Sequence, residues 1–329
     1  MTQATYLSGI QATGVPHIGN YVGAISQWIR TQDSDDRSFY MIADLHAITT
    51  PPEPEVLRRN RFGAMAGLLA CGLDPKHAVL FFQSTVPEHT ELSWLLSSLS
   101  YMGELRRMTQ FKAKSKENQE GASMALFGYP VLQAADILIY QANFVPVGAD
   151  QLQHIELTRD IAGRFNAKYG ETFVIPKATV PKIGARIMDL QYPDRKMSKS
   201  GIDSVQGTIF LDDEDDAIRR KISKSVTDSL NRIVYSDEQP GLRNLIDLYS
   251  ALTGGTPAGV VEQFEGQGYG NLKKELTDVI VATIAPVRTE INRLTGDQVE
   301  LERLVATCSA TAREQATATL RKAKLAMGF

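Results

Sequence analysis

Residues 6–20 read Tyr6-Leu7-Ser8-Gly9-Ile10-Gln11-Ala12-Thr13-Gly14-Val15-Pro16-His17-Ile18-Gly19-Asn20, and this stretch decides the fold. Residues 6–10 form a short, mostly apolar run suited to a buried strand, 14–17 make a turn, and 18–29 have helical spacing. The same strand-then-helix unit recurs. Residues 38–43 and 78–83 are the next strand candidates, and 55–71 and 88–101 are the helices that follow them. Three such units predict an α/β fold built on a Rossmann-like, doubly wound parallel sheet. Farther on, 106–121 is a lysine-rich loop, 130–140 a helix, 145–148 a strand end, 150–169 a long helix and 193–204 a Pro/Asp/Lys/Ser/Gly-rich loop. Beyond residue 211, helical periodicity over 217–225, 242–252 and 271–294 predicts a second, mostly helical domain.

A length of 329 residues has room for two domains. Hydrophobic residues at 43% and charged residues at 22% are ordinary for a globular protein, which excludes disorder, collagen and long coiled coil. The 35 basic and 38 acidic side chains give a net charge of −3, so indiscriminate binding to polyanions or membrane surfaces is not expected. Cys71 and Cys308 lie far apart without metal-ligand spacing, which speaks against a disulfide framework or zinc site and for a reducing, cytoplasmic setting. The N-terminal residues lack a basic-then-apolar leader, and no apolar run reaches the roughly 20 residues of a membrane span.

The first strand–helix turn carries neither GxGxxG nor GxxxxGK[ST]. It has Gly14-Val15-Pro16-His17-Ile18-Gly19-Asn20 instead. Pro16 suits a first helical turn, whose free N–H groups meet anions, while Gly19 leaves room for a flat ring and His17 and Asn20 add polar side chains suited to phosphate oxygens. An ordinary proline-started helix with an incidental histidine fits this stretch equally well. A second device is Lys196-Met197-Ser198-Lys199-Ser200, bounded by Gly201: two ammonium groups on a small-residue loop can fold over a triphosphate. Taken alone, such a loop reads as a solvated turn.

A third pattern is Tyr129-Pro130-Val131-Leu132-Gln133-Ala134-Ala135-Asp136. Residues 129, 133 and 136 share one helical face, so a phenol, an amide and a carboxylate converge. In such an apolar run the carboxylate needs a hydrogen-bond donor.

Together, the strand, the PHIGN helix start and the distant KMSKS loop resemble the signature motifs of class I aminoacyl-tRNA synthetases. Stretches such as 8–11, 107–112, 145–148, 153–157 and 184–188 are similar to the bacterial and mitochondrial tryptophanyl-tRNA synthetases over essentially the whole chain. The resemblance implies a Rossmann-like catalytic domain over 1–200, a helical anticodon-binding domain over 201–310, and a C-terminal helix, 311–329, packed back on the catalytic domain. It implies ATP, carried with Mg²⁺ and without a protein metal cage or bound organic cofactor, as the co-substrate of L-tryptophan. The other implied partners are tRNA(Trp) and a second copy of the chain, with neither DNA nor a membrane.

By the same resemblance Gln11, Ala12, Thr13, Gly19 and Asn20 meet ATP from the first motif, and Gly148, Ala149, Asp150 and Ile187 hold its ribose and adenine. The loop Lys196, Met197, Ser198, Lys199 and Ser200 closes over it. Lys114, Lys196, Lys199 and His17 stabilise the transferred phosphate. Tyr129 and Gln151 hold the substrate ammonium, Gln133 and Leu7 line the pocket, and Asp136 accepts the indole N–H, a group with no acceptor of its own.

The chain departs from the family pattern in places. Gln133 stands where many members have Met, Ala149 where Glu is common, Gly201 where Asp is common, and Leu7 where an aromatic often lies. Tyrosine specificity is the near rival, since the sister synthetases show a similar Tyr-x-x-x-Gln-x-x-Asp. A weakly catalytic tryptophan or ATP sensor and a small-molecule adenylyltransferase are the others. The basic clusters Arg219-Arg220-Lys221 with Lys224, and Arg321-Lys322 with Lys324, offer phosphate contacts or solvated helix faces. The run 212–216 supplies an acidic first helical turn. His46 is open between lining the pocket and packing.

Overall fold

A computed structural model describes residues 3–34, 36–112, 122–180, 186–199 and 204–329. Its sheet has five parallel strands in the order β3-β2-β1-β4-β5: β1 (Thr5–Gln11), β2 (Arg37–Ala43), β3 (Val79–Phe82), β4 (Phe144–Pro146) and β5 (Lys177–Thr179). Strand order reverses beside β1, so a crevice opens at the carboxyl ends of β1 and β4, the position where doubly wound sheets bind ligands.

Both faces of the sheet are covered. Phe39 and Met41 of β2 enter one core, with Phe81, Val131 and Phe165, whereas Tyr40 and Ile42 enter the other, with Trp28, Met65 and Leu80. Alternate side chains leave opposite faces of a strand, so a strand buried on both sides must be apolar throughout, as 39–43 is.

The helices that position the site are α1 (Ile18–Asn20), running through a wide π-type turn (Tyr21–Ile25) into α2 (Ser26–Thr31), then α3 (Asp44–Ala47), α4 (Pro54–Ala70), α5 (Glu88–Ser97), α6 (Met102–Leu105), α7 (Met124–Leu138) and α8 (Leu152–Tyr169). The helix expected over 88–101 thus ends at Ser97, and a separate short helix begins at Met102. The one expected from Pro130 begins earlier: Ser123 caps α7 by accepting from the Leu126 N–H at 3.1 Å, and Pro130 lies inside the helix. Pro130 removes one internal bond there, but burial of Leu126, Val131, Ala134 and Ala135 holds the helix together. β5 was not expected from the sequence. Its three residues have no apolar run of their own and become a strand by pairing with β4.

The remainder is helical: α9 (Ser204–Gly207), α10 (Asp215–Ser223), α11 (Pro240–Thr253), α12 (Pro257–Gln263), α13 (Tyr269–Gly296) and α14 (Gln298–Met327). Ile18 and Val22 of the first helical segment share a core with Ile218, Leu245, Leu272 and Ile280, which seats this helical part on the start of α1. α14 is continuous across residue 310 and packs along β3 and α5, giving Leu301 and Val305 to one sheet core and Ala316 and Leu320 to the other.

Candidate active site

The crevice is built first from the turn after β1. His17 is the N-cap of α1: its Nδ1 accepts from the Asn20 N–H at 3.2 Å, and Asn20 Oδ1 accepts from the His17 N–H at 3.1 Å. This is a reciprocal capping box. Pro16 therefore lies before the cap, not in the first turn as expected, and packs against α4, where a side chain on Gly67 would collide with its ring. The Ile18 N–H donates to Ile209 O at 2.9 Å and the Leu211 N–H to Pro16 O at 3.0 Å. With the N–H groups of Ile18 and Asn20 engaged inside the protein, fewer are left for an anion than a bare helix start implies.

Burial, helped by the charges of Lys199 and Lys196, pushes the His17 pKa down to about 3. The ring is neutral, and because Nδ1 accepts, its proton sits on Nε2 as a single donor. A Cβ on Gly19 would lie 3.0 Å from the His17 ring and 3.5 Å from Ile187 Cβ. His17, Gly19 and Ile187 thus meet, and the glycine lets them. Gln11 and Thr13 are exposed at the crevice edge, while Ala12 is buried.

The second motif lies against the first. Met188 and Lys196 form a backbone bridge, the Met197 N–H donates to Ile187 O at 3.0 Å, and Thr208 Oγ1 donates to Ser198 O at 2.9 Å. Met197 is a core side chain beside Ile18 and Ile209, so the loop is anchored in its middle. Lys196 is exposed. Lys199 Nζ donates to Gly14 O at 2.7 Å, joining the two motifs directly. Burial lowers the Lys199 pKa to about 7, against a smaller upward pull from Asp212. Lys114, Ser200 and Gly201 lie outside the described residues.

The substrate side is carried by α7 and the turn after β4. Tyr129 Oη lies 2.8 Å from His154 Nε2, Gln133 Nε2 donates to Gln151 Oε1 at 3.4 Å, and Gln151 Nε2 donates to Asp150 Oδ2 at 2.9 Å. Gly148, Ala149 and Asp150 are exposed in that turn. Asp136 lies deeper, 1% exposed, and three side chains surround its carboxylate. His46 Nε2 is 2.8 Å from Oδ2, Gln83 Nε2 donates to both oxygens at 2.8 Å, and His89 Nδ1 is 2.6 Å from Oδ1. Burial raises the carboxyl pKa, but the hydrogen bonds from His46 and His89 outweigh it and leave Asp136 ionised, below the ordinary carboxylate range. Leu7 is buried in β1, in the core that includes Ala134 and Ala135.

Sequence reasoning missed Gln83, His89 and His154. A polar residue closing the apolar run of β3, at the carboxyl end of a parallel strand, was the available signal for Gln83. His46 is buried, its ring centroid 6.2 Å from that of Tyr129 in an edge-on arrangement and its Nε2 on Asp136. Asp215 and Asp216 do occupy the first turn of α10, but Lys221 is buried on Asp213 at 2.6 Å and Lys324 pairs with Glu91 at 2.6 Å. That leaves Arg219, Arg220, Lys224, Arg321 and Lys322 as the exposed cations of the two basic clusters. Among the described residues no three His, Cys, Asp or Glu side chains are grouped to hold a metal, and no helix is long and apolar enough to cross a membrane.

Residues 1–285 match the family model of class I tRNA synthetases for W and Y. The chain belongs to that family. Among class I synthetases, it is 47% identical over 322 residues to the tryptophan–tRNA ligase of Clostridium perfringens, covering 98% of this chain and 96% of the relative. The solved tryptophanyl-tRNA synthetase of Mycoplasma pneumoniae superposes with a TM-score of 0.89 at 36% identity, over 100% of this chain and 98% of that one. The Campylobacter jejuni enzyme, solved with ADP and tryptophan, superposes with a TM-score of 0.85 at 34% identity, over 99% of this chain and 100% of that one.

Proposed function

We infer that the chain is a tryptophan–tRNA ligase. The observation that carries this is full-length similarity to such ligases, joined to a crevice in which Lys199 touches the PHIGN turn and an ionised Asp136 backs the pocket face of α7. In the reaction the tryptophan carboxylate attacks the α-phosphorus of ATP, the bond to the β-phosphate oxygen breaks, and pyrophosphate leaves. A hydroxyl of the terminal tRNA adenosine then attacks the tryptophanyl carbonyl and releases AMP. No side chain serves as nucleophile: positioning and charge neutralisation lower the barrier.

The residue roles belong to the proposal. Gln11, Ala12, Thr13, Gly19 and Asn20 receive ATP, His17 Nε2–H and the ammonium groups of Lys196, Lys199 and Lys114 meet its phosphates, and Gly148, Ala149, Asp150 and Ile187 hold the nucleoside. Since Ile187 C=O is taken by Met197, its N–H is the group left for adenine. Tyr129 and Gln151 take the substrate ammonium, Gln133 and Leu7 border the ring, and Asp136 accepts the indole N–H. Mg²⁺ would enter with ATP as part of that substrate and supply charge neutralisation at its phosphates. A cytoplasmic setting and a 1–200, 201–310 and 311–329 division of labour are part of the same reading.

Amino-acid-dependent ATP–pyrophosphate exchange tests it. Exchange with tryptophan at least about 10³ times more efficient than with tyrosine is expected. Activity with tyrosine alone would overturn the specificity, and none with either would favour a sensor.

A homodimer is proposed as well, since exposed Trp94, Tyr101, Met102 and Met124 lie on or beside α5, α6 and α7, which pack together. Exposed large apolar side chains on neighbouring helices invite a protein partner. Sedimentation at twice the chain mass, weakened by Trp94→Glu, is the expected result; a monomer at micromolar concentration contradicts it.

A further inference from the structure

The carboxylate of Asp136 is held from behind by groups that no step of the reaction uses. Gln83 and His89 are fully buried, whereas His46 lies on the side of Tyr129. The direction of each hydrogen bond onto Asp136 follows from satisfaction, since an ionised carboxylate only accepts. Gln83 Oε1 accepts from the Leu45 N–H at 3.1 Å, so its amide cannot flip and its NH₂ must face the carboxylate. Tyr140 is 1% exposed, and its hydroxyl lies 2.8 Å from His89 Nε2. Burial and the negative charges of Asp136 and Glu88 hold that phenol protonated beside Nε2. Because an ionised Asp136 can only accept, His89 Nδ1 carries a proton and donates it to the carboxylate. The chain of contacts runs from Tyr140 to His89 and from His89 to Asp136.

We propose that His89, backed by Tyr140, is the positioning residue that keeps Asp136 an acceptor-only carboxylate aimed at the substrate, so that selection of a ring bearing an N–H passes through it. A carboxylate in this core without its inner donor is driven toward the neutral acid, which can itself donate and loses its preference for substrate donors. Gln83 Nε2 reaches both oxygens, so with His46 and His89 it occupies the carboxylate's about four lone-pair positions, and a substrate N–H binds there by sharing or replacing the contact of His46 on the Tyr129 side. The inference rests on the reading that Asp136 meets the indole N–H.

The test compares exchange kinetics with tryptophan and with 3-(benzothiophen-3-yl)alanine, in which sulfur replaces the N–H. His89→Gln places its amide where Nε2 was and is expected to raise KM for tryptophan about tenfold, with kcat changed less than about threefold and the sulfur analogue unaffected within about twofold. His89→Asn, whose amide reaches the Nδ1 position, restores most of the preference, and Tyr140→Phe weakens it by about two- to fivefold. If His89→Gln leaves the tryptophan-to-analogue ratio unchanged, or loses both substrates equally, the inference is wrong and His89 is only structural. Asp136→Asn separates the two layers. An unchanged ratio in that variant overturns the underlying reading itself, whereas a collapsed ratio there beside an intact one in His89→Gln overturns the role of His89 alone.

Discussion

Asp136→Asn is expected to lower kcat/KM for tryptophan in pyrophosphate exchange by about 10²–10³-fold, and to destabilise the fold by about 2–5 kcal/mol. Both effects have one origin. Three side chains point donors at a carboxylate that only accepts: His46, Gln83 and His89. An asparagine keeps one acceptor oxygen but turns an NH₂ toward the others, so at least one buried donor loses its partner, and the substrate N–H must compete for the oxygen that remains. Exchange kinetics and a denaturant midpoint measure the two losses. A fall in kcat/KM of less than about tenfold would show that the indole N–H is read elsewhere. ATP affinity should stay within about twofold, because Asp136 is buried in α7 and its side-chain partners His46, Gln83 and His89 belong to neither the PHIGN nor the KMSKS segment.

Lys199→Ala is expected to reduce the exchange rate by about 10²–10³-fold while leaving the dissociation constant for tryptophan within about twofold. In the structure Lys199 is held on Gly14 O, against the turn proposed to receive the phosphates, and under that proposal its charge lies where negative charge develops. An unchanged rate would remove it from the mechanism.

A pH signature accompanies this role. Burial brings the Lys199 pKa down to about 7, so above that value the free enzyme loses the proton proposed to meet the phosphate. Between pH 7.5 and 9, where ATP itself no longer titrates, the dissociation constant for ATP should rise by up to about tenfold per unit. The Lys199→Ala variant should lack this slope. A flat profile in the parent protein would mean that a nearby carboxylate such as Asp212 keeps Lys199 charged.

How far the sequence carried these conclusions differs from residue to residue. The two-sided burial of β2 was readable as the apolar run 38–43, because a strand covered on both faces has no polar alternation. The acidic first turn of α10 was readable from 212–216. The start of α7 was not: proline suggested a beginning at 130, whereas the cap Ser123 and the buried face begin it earlier. β5 was invisible because it exists only through pairing with β4. Lys221 looked like an exposed cation and is instead buried on Asp213, a partner that helix spacing alone does not identify.

By itself the sequence determined the strand–helix units of the parallel sheet, the positions of the PHIGN and KMSKS stretches and the carboxylate at 136, since each rests on local periodicity or on residue types a few positions apart. Only the tertiary structure decided how those pieces act on one another. It placed Lys199 on Gly14, 185 residues away in the chain, and made His17 a neutral cap. It also assembled His46, Gln83 and His89, from three separate segments, around Asp136. The physical reason is that a buried charge must be satisfied by whatever donors the packing brings within about 3 Å, and which donors those are depends on how strands and helices stack, not on their spacing along the chain.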